Sequence, residues 1–91
     1  MATSISTLIS TCPSSISTSS GVADGITWLA TCATFAETQD VAQLPNKSMI
    51  KSYAYAYWES IKSDTTDYAD VNNKVLHIKY LLSADNTVLS T

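Results

Sequence analysis

The residues able to do acid–base or nucleophilic chemistry are few in this chain, and none of them falls in a catalytic pattern. His77 is the only histidine, and no neighbour in the sequence would orient it as a general base. A serine hydrolase of the common type holds its nucleophile in a G-x-S-x-G turn, but Gly21 and Gly25 lack that spacing. The sequence therefore predicts no catalytic residue, and we expect His77 to be an exposed or interfacial helix residue.

Three aspartates recur at every third position, which raises the question of a calcium or magnesium site. Asp64, Asp67 and Asp70 do not match an EF-hand loop, whose ligands occupy alternate positions around a central glycine. Carboxylates at the start of a helix are favoured by the helix dipole and can cap its first turn. We expect these residues to start a helix, and the sequence predicts no metal site.

Cys12 and Cys32 are the only cysteines. Together with His77 they do not form a zinc set, which normally has four ligands in closely spaced pairs such as C-x-x-C. The N-terminal residues lack the positive region of a secretory signal, so free thiols are the expected state and a disulfide is the alternative.

The composition disfavours several further classes of ligand. Serine and threonine make up 26 of the 91 residues, arginine is absent, charged residues are 14%, and the net charge is −3. Without a basic patch or a phosphate-binding glycine loop, we expect no nucleic acid, no nucleotide or other cofactor, and no small-molecule substrate. No apolar run approaches the roughly 18 residues of a membrane span, so we expect no membrane contact and a cytoplasmic protein when synthesised.

Hydrophobic periodicity predicts an all-α fold. The pattern favours a short helix over 2–12 and three long helices over about 22–43, 47–63 and 66–83, packed as a small antiparallel bundle in one domain, 1–91. The serine-rich stretch 13–21 is expected to be a loop or tether. An α+β fold with a C-terminal hairpin from about residue 74 is the alternative, because Leu76, Ile78, Tyr80 and Leu82 alternate.

Two helices have a clear predicted core face. In the third helix, Ile50, Tyr57 and Ile61 are expected core positions, and the tyrosine-rich run 53–58 is expected to pack rather than to stack on bases. The last helix has an apolar seam at spacings of three and four, made by Tyr68, Val71, Val75, Ile78 and Leu82.

The second helix is more complex, because it has two apolar faces. Trp28 and Phe35 are seven residues apart on a ridge of their own, away from the main face. A hydroxyl stripe occupies a third direction, formed by Thr27, Thr31, Thr34 and Thr38.

More large apolar residues remain than the predicted seams accommodate. Aromatic residues are enriched at protein interfaces, so we expect this surplus to contact a partner. The predicted interface residues are Trp28, Phe35, Tyr55, Leu76, Tyr80 and Leu81.

These observations favour a non-enzymatic structural or assembly subunit whose partners are copies of itself or other subunits of an assembly. A phage-type virion component, such as a head–tail adaptor, a coat protein or a cement-like protein, is the finer expectation. The alternative is a small acidic inhibitor or adaptor that binds a host protein through Tyr55, Trp28 or its acidic helix start.

Overall fold

The described part of the chain forms four α-helices, as the periodicity predicts. A computed structural model describes residues 4–14, 16–63 and 67–90, and these contain helices α1 (Ile5–Thr11), α2 (Ser19–Thr38), α3 (Lys47–Ser63) and α4 (Tyr68–Ser90). The described residues contain no strand. The all-α class is confirmed, and the C-terminal hairpin is wrong.

Hydroxyl side chains set the starts of α1 and α2. The Ser4 side chain accepts a hydrogen bond from the Thr7 backbone N–H at 3.2 Å, and the Thr18 side chain accepts one from the Gly21 N–H at 3.1 Å. Each bond satisfies a backbone donor that the first helical turn leaves without a partner. The helix therefore begins at Ser19, inside the predicted serine-rich loop.

Helix α2 ends at Thr38, five residues earlier than predicted. Its last carbonyls have a partner from the next helix, because the Lys47 ammonium donates to the backbone carbonyls of Glu37 and Gln39. A cation at a helix C-terminus is also favoured by the helix dipole. The turn that follows inserts Leu44, which is fully buried.

Helices α3 and α4 run antiparallel. The Lys74 ammonium on α4 is 3.3 Å from the Ser60 hydroxyl near the end of α3, and the Asp85 carboxylate is bonded to Asn46 just before the start of α3. Helix α4 continues to Ser90, seven residues beyond its predicted end.

The alternation that suggested a strand in α4 has a helical explanation. Ile78 and Leu82 are fully buried, whereas Leu76 and Tyr80 are exposed. Residues four apart lie on the same face of a helix, so the two pairs point in different directions. The predicted seam is buried at Val71, Val75, Ile78 and Leu82, with Tyr68 half-buried.

The core face of α3 is narrower than predicted. Ile50, Ala54 and Ile61 are buried, but Tyr57 is only half-buried, so its placement in the core is wrong. Tyr57 lies at the edge of the apolar arc, where its hydroxyl reaches α4.

One close contact between helices depends on a glycine. A Cβ built on Gly25 of α2 would lie 3.2 Å from Ile16 Cδ1 and 3.4 Å from Val75 Cγ2 of α4. The missing side chain lets the loop before α2 and the face of α4 approach this helix closely.

Within the described residues, no helix is sufficiently long and apolar to cross a membrane.

Candidate functional site

Three of the six predicted interface residues lie in the core of the single chain. Trp28, Phe35 and Leu81 are only 5%, 7% and 7% exposed. The expectation that these side chains lie outside the core is therefore wrong, and they offer little surface to a partner.

The burial of Trp28 has a specific cause in the position of α1. The Trp28 indole Nε1 donates a hydrogen bond to the backbone carbonyl of Leu8 at 3.0 Å, and Ile5 and Leu8 of α1 are themselves buried. A buried indole needs such a partner for its N–H. The short first helix thus covers the second apolar face of α2 at Trp28, whereas Phe35 lies beside Trp58 of α3.

Tyr55 is a link between α3 and α2. It is half-buried, its ring lies 6.4 Å from that of Trp58, and its hydroxyl donates to Glu37 Oε2 at 2.9 Å. This hydrogen bond, and the negative carboxylate that accepts it, raise the pKa of the Tyr55 hydroxyl. The Tyr55 side chain therefore has its contacts, with Glu37 and Trp58, inside its own chain.

The other two predicted interface residues project from α4. Leu76 is 43% exposed and Tyr80 is 70% exposed. Ala84 and Val88 continue the same spacing of four residues, with Val88 60% exposed. We name this outward row, formed by Leu76, Tyr80, Ala84 and Val88, the α4 ridge.

A tyrosine–histidine cluster adjoins the α4 ridge. The Tyr57 hydroxyl lies 2.8 Å from His77 Nδ1, and either atom can donate, depending on the imidazole tautomer. The Tyr53 ring centroid is 5.3 Å from that of His77 and 5.9 Å from that of Tyr57. His77 therefore has an orienting partner, contrary to the sequence analysis, and the antiparallel pairing of α3 and α4 supplies it from twenty residues away.

This cluster resembles a packing arrangement more than a reactive one. The Lys74 ammonium lies 5.9 Å from the Tyr57 ring centroid and is paired with Asp70 at 2.7 Å. A tyrosine hydroxyl bonded to an imidazole fixes the orientation of both rings. The result is a half-exposed aromatic surface between α3 and α4, formed by Tyr53, Tyr57 and His77.

A second surface lies along the outward face of α2. It is an open groove of about 710 Å³ with Trp58 of α3 at its side. We name it the α2 groove, and its lining residues, none of them charged, are Ile26, Thr27, Ala30, Thr31, Thr34, Phe35, Thr38, Gln39 and Trp58.

The threonines of the α2 groove use their hydroxyl protons within α2. Thr27, Thr31 and Thr34 donate to the carbonyls four residues earlier at 2.9–3.1 Å, and Thr38 donates to that of Phe35 at 2.9 Å. The four threonines are exposed, so the predicted hydroxyl stripe lies on the surface of α2. The stripe is evident from the sequence, but the groove is not, because Trp58 comes from another helix.

The aspartates act at the start of α4, as predicted for Asp67. Its Oδ1 accepts the backbone N–H of Asp70 at 3.0 Å, which caps the helix. Asp70 pairs with Lys74, and Asp64 lies outside the described residues. No group of three histidine, cysteine, aspartate or glutamate residues that could hold a metal occurs in the described part of the chain.

Both cysteines are free thiols, with Cys32 fully buried and Cys12 partly buried. Burial raises the pKa of each thiol, and at Cys12 the positive charge of Lys79 opposes part of this shift. Because the thiolate is the reactive form, neither cysteine is activated as a nucleophile.

Comparison with known proteins adds no family to this description. No protein-family model, curated protein or solved structure matches the chain. The fold is a small four-helix bundle, and fold alone does not specify function. The two outward surfaces, the α4 ridge and the α2 groove, are the features of this bundle that a partner could contact.

Proposed function

We propose that this protein is a non-enzymatic assembly subunit that acts through contacts with other protein subunits. The observation that carries the proposal is the α4 ridge, where Leu76 and Tyr80 remain 43% and 70% exposed after the bundle has packed. An isolated exposed leucine is common, but a row of apolar side chains at helical spacing is typical of a contact surface.

The surroundings of the ridge support a protein partner. The half-exposed aromatic surface of Tyr53, Tyr57 and His77 lies beside it, and tyrosine is among the residues enriched at interfaces. Asn73 and Thr87, two exposed polar positions of α4 beside the ridge, are uncharged. The exposed acid of α4, Asp70, lies in its first turn and is paired with Lys74. The centre of a protein interface is similarly depleted of charge.

The finer proposal is a component of a phage-type virion, such as a head–tail adaptor, a coat subunit or a cement-like protein. The small bundle, the hydroxyl-rich surface and the low content of charged residues support it. Such subunits occur in many copies and in symmetric arrangements, so modest contacts are sufficient when they are repeated.

The test is the mass of the purified chain in solution as a function of concentration. We expect the average mass to rise above the 9.8 kDa monomer between micromolar and millimolar concentration. The Tyr80→Lys variant, which places a charge on the ridge, should remain a monomer. The Ser6→Lys variant, which places the same charge at an exposed position of α1, should behave as the parent chain. A parent chain that stays monomeric throughout contradicts the proposal.

Electron microscopy tests the finer proposal. A virion subunit should form rings, tubes or regular lattices when concentrated, and amorphous aggregates would count against it.

A further inference from the structure

The α4 ridge and the α2 groove point away from each other across the bundle. Gly25 of α2 and Val75 of α4 face each other in the core, with Val75 Cγ2 3.4 Å from a Cβ built on the glycine. The threonines of the groove are exposed on the opposite side of α2, and Leu76 and Tyr80 are exposed away from the buried seam of α4. The two surfaces therefore lie on opposite sides of one molecule.

The two surfaces match in length. The ridge from Leu76 to Val88 covers twelve residue steps of α4, or about 18 Å at 1.5 Å per residue. The α2 part of the groove covers the same number of steps, from Ile26 to Thr38, and Gln39 extends the lining just past the helix end. The ridge protrudes, since Tyr80 is 70% exposed, and the groove is open with a volume of about 710 Å³. A helix face of this length fits a groove between two helices.

The two surfaces also match in charge. Neither the ridge nor the lining of the groove contains a charged residue, although the chain has a net charge of −3. Two copies can therefore meet here without placing like charges in contact. The threonine hydroxyls already donate within α2, so covering them leaves no hydroxyl proton without an acceptor.

We infer that the α4 ridge of one copy docks in the α2 groove of a second copy. This inference rests on the proposed function, and it adds the partner and the geometry. A contact between two different surfaces on two copies of the chain is head-to-tail. A pair of copies joined in this way still has one uncovered groove and one uncovered ridge, which can each bind a further copy. Such contacts produce a closed ring or an open filament, whereas a ridge-to-ridge contact stops at a dimer.

A mixing experiment on the full-length chain tests the geometry. The ridge variant is Tyr80→Lys, the groove variant is Thr34→Lys, and Ser6→Lys is the control with the same change of charge. Circular dichroism first establishes that each variant is helical. A second pair of variants repeats the test at each surface: Tyr80→Ser removes the ridge side chain without adding a charge, and Ala30→Lys places a charge at another position of the groove.

Head-to-tail docking predicts that the ridge variant and the groove variant are each monomeric alone. An equimolar mixture should contain a 1:1 complex of twice the 9.8 kDa monomer mass and no larger species, because only one intact groove meets one intact ridge. The control should form the same large species as the parent chain.

Two outcomes overturn the inference and are distinguishable from failure of the proposed function. If the groove variant associates as the parent does, the ridge contacts another ridge, and the proposed function stands without this geometry. If the two variants stay monomeric when mixed while the parent associates, the groove and the ridge do not contact each other. If the parent itself never associates, the proposed function fails.

Discussion

Asp85 of α4 accepts two hydrogen bonds from Asn46, the residue before α3. The Asn46 backbone N–H donates to Oδ2 at 2.8 Å, and its side-chain Nδ2 donates to Oδ1 at 2.5 Å. The Asp85 side chain is 1% exposed, so water cannot replace these bonds. These two hydrogen bonds link the C-terminal half of α4 to the connection between α2 and α3.

Replacing Asp85 with alanine should lower the free energy of unfolding by about 1–2 kcal/mol, because two partly buried donors of Asn46 lose their acceptors. Asp85→Asn should cost less, since one acceptor oxygen remains. Urea denaturation measures both. Asp24→Ala, which removes an exposed acid from α2, is the control, and an equal loss in that variant would mean that the Asn46 bonds are unimportant.

The double variant Trp28→Ser, Phe35→Ser should unfold the protein. Each large side chain is buried, and removal of a buried aromatic side chain costs about 3–5 kcal/mol, so the two changes together approach the whole stability of a small domain. Circular dichroism and light scattering measure helicity and association. A variant that stays helical and loses only its association would restore these residues as interface anchors.

Tyr57 and Ile61, one turn apart on α3, should respond differently to substitution. Tyr57→Phe removes only the hydroxyl bonded to His77 and should cost about 1 kcal/mol. Ile61→Ala creates a cavity at a residue that is 1% exposed and should cost about 2–5 kcal/mol. Denaturant midpoints of the two variants give the comparison, and a larger loss for Tyr57→Phe would contradict the assigned burial.

The two thiols should differ in their reactivity toward iodoacetamide. Cys12 is partly exposed and should be alkylated first, whereas Cys32 should react only when the chain opens. Mass spectrometry of the native and the urea-unfolded chain counts the modified sites. Rapid labelling of both native thiols would contradict the burial of Cys32.

The raised pKa of each thiol also gives a pH dependence of stability. The folded state favours the protonated thiols, so their stabilising contribution is complete below the ordinary value of 9.0 and is lost as the pH rises through the folded pKa values. The free energy of unfolding should therefore fall above about pH 9, and a Cys32→Ser variant should show less of this fall. Denaturation curves at pH 8 and pH 10 measure the difference.

The sequence was sufficient to predict those features that depend on neighbouring residues. The bounds of α3 follow from its periodic apolar positions, with Pro45 and Asn46 before it and polar residues after it. The buried seam of α4 follows from the spacing of Val71, Val75 and Ile78 in the same way.

Features that depend on contacts distant in sequence were missed. Residues 83–86 have the composition of a turn, but Asn46 satisfies the Asp85 side chain and the helix continues through it. Trp28 was predicted to lie at an interface, because nothing near it in the sequence shows that the Leu8 carbonyl accepts the hydrogen bond of its indole. The pairing of Tyr57 with His77 likewise exists only after α3 and α4 lie side by side.

The hydrogen bonds inside α2 change how the threonine face meets water. By composition, Thr27, Thr31 and Thr34 make this face polar, but each hydroxyl proton is committed to the backbone carbonyl four residues earlier. What remains toward the solvent is a surface of methyl groups and hydroxyl oxygens that can only accept. Burial of such a face should release water as an apolar surface does, with a negative change in heat capacity.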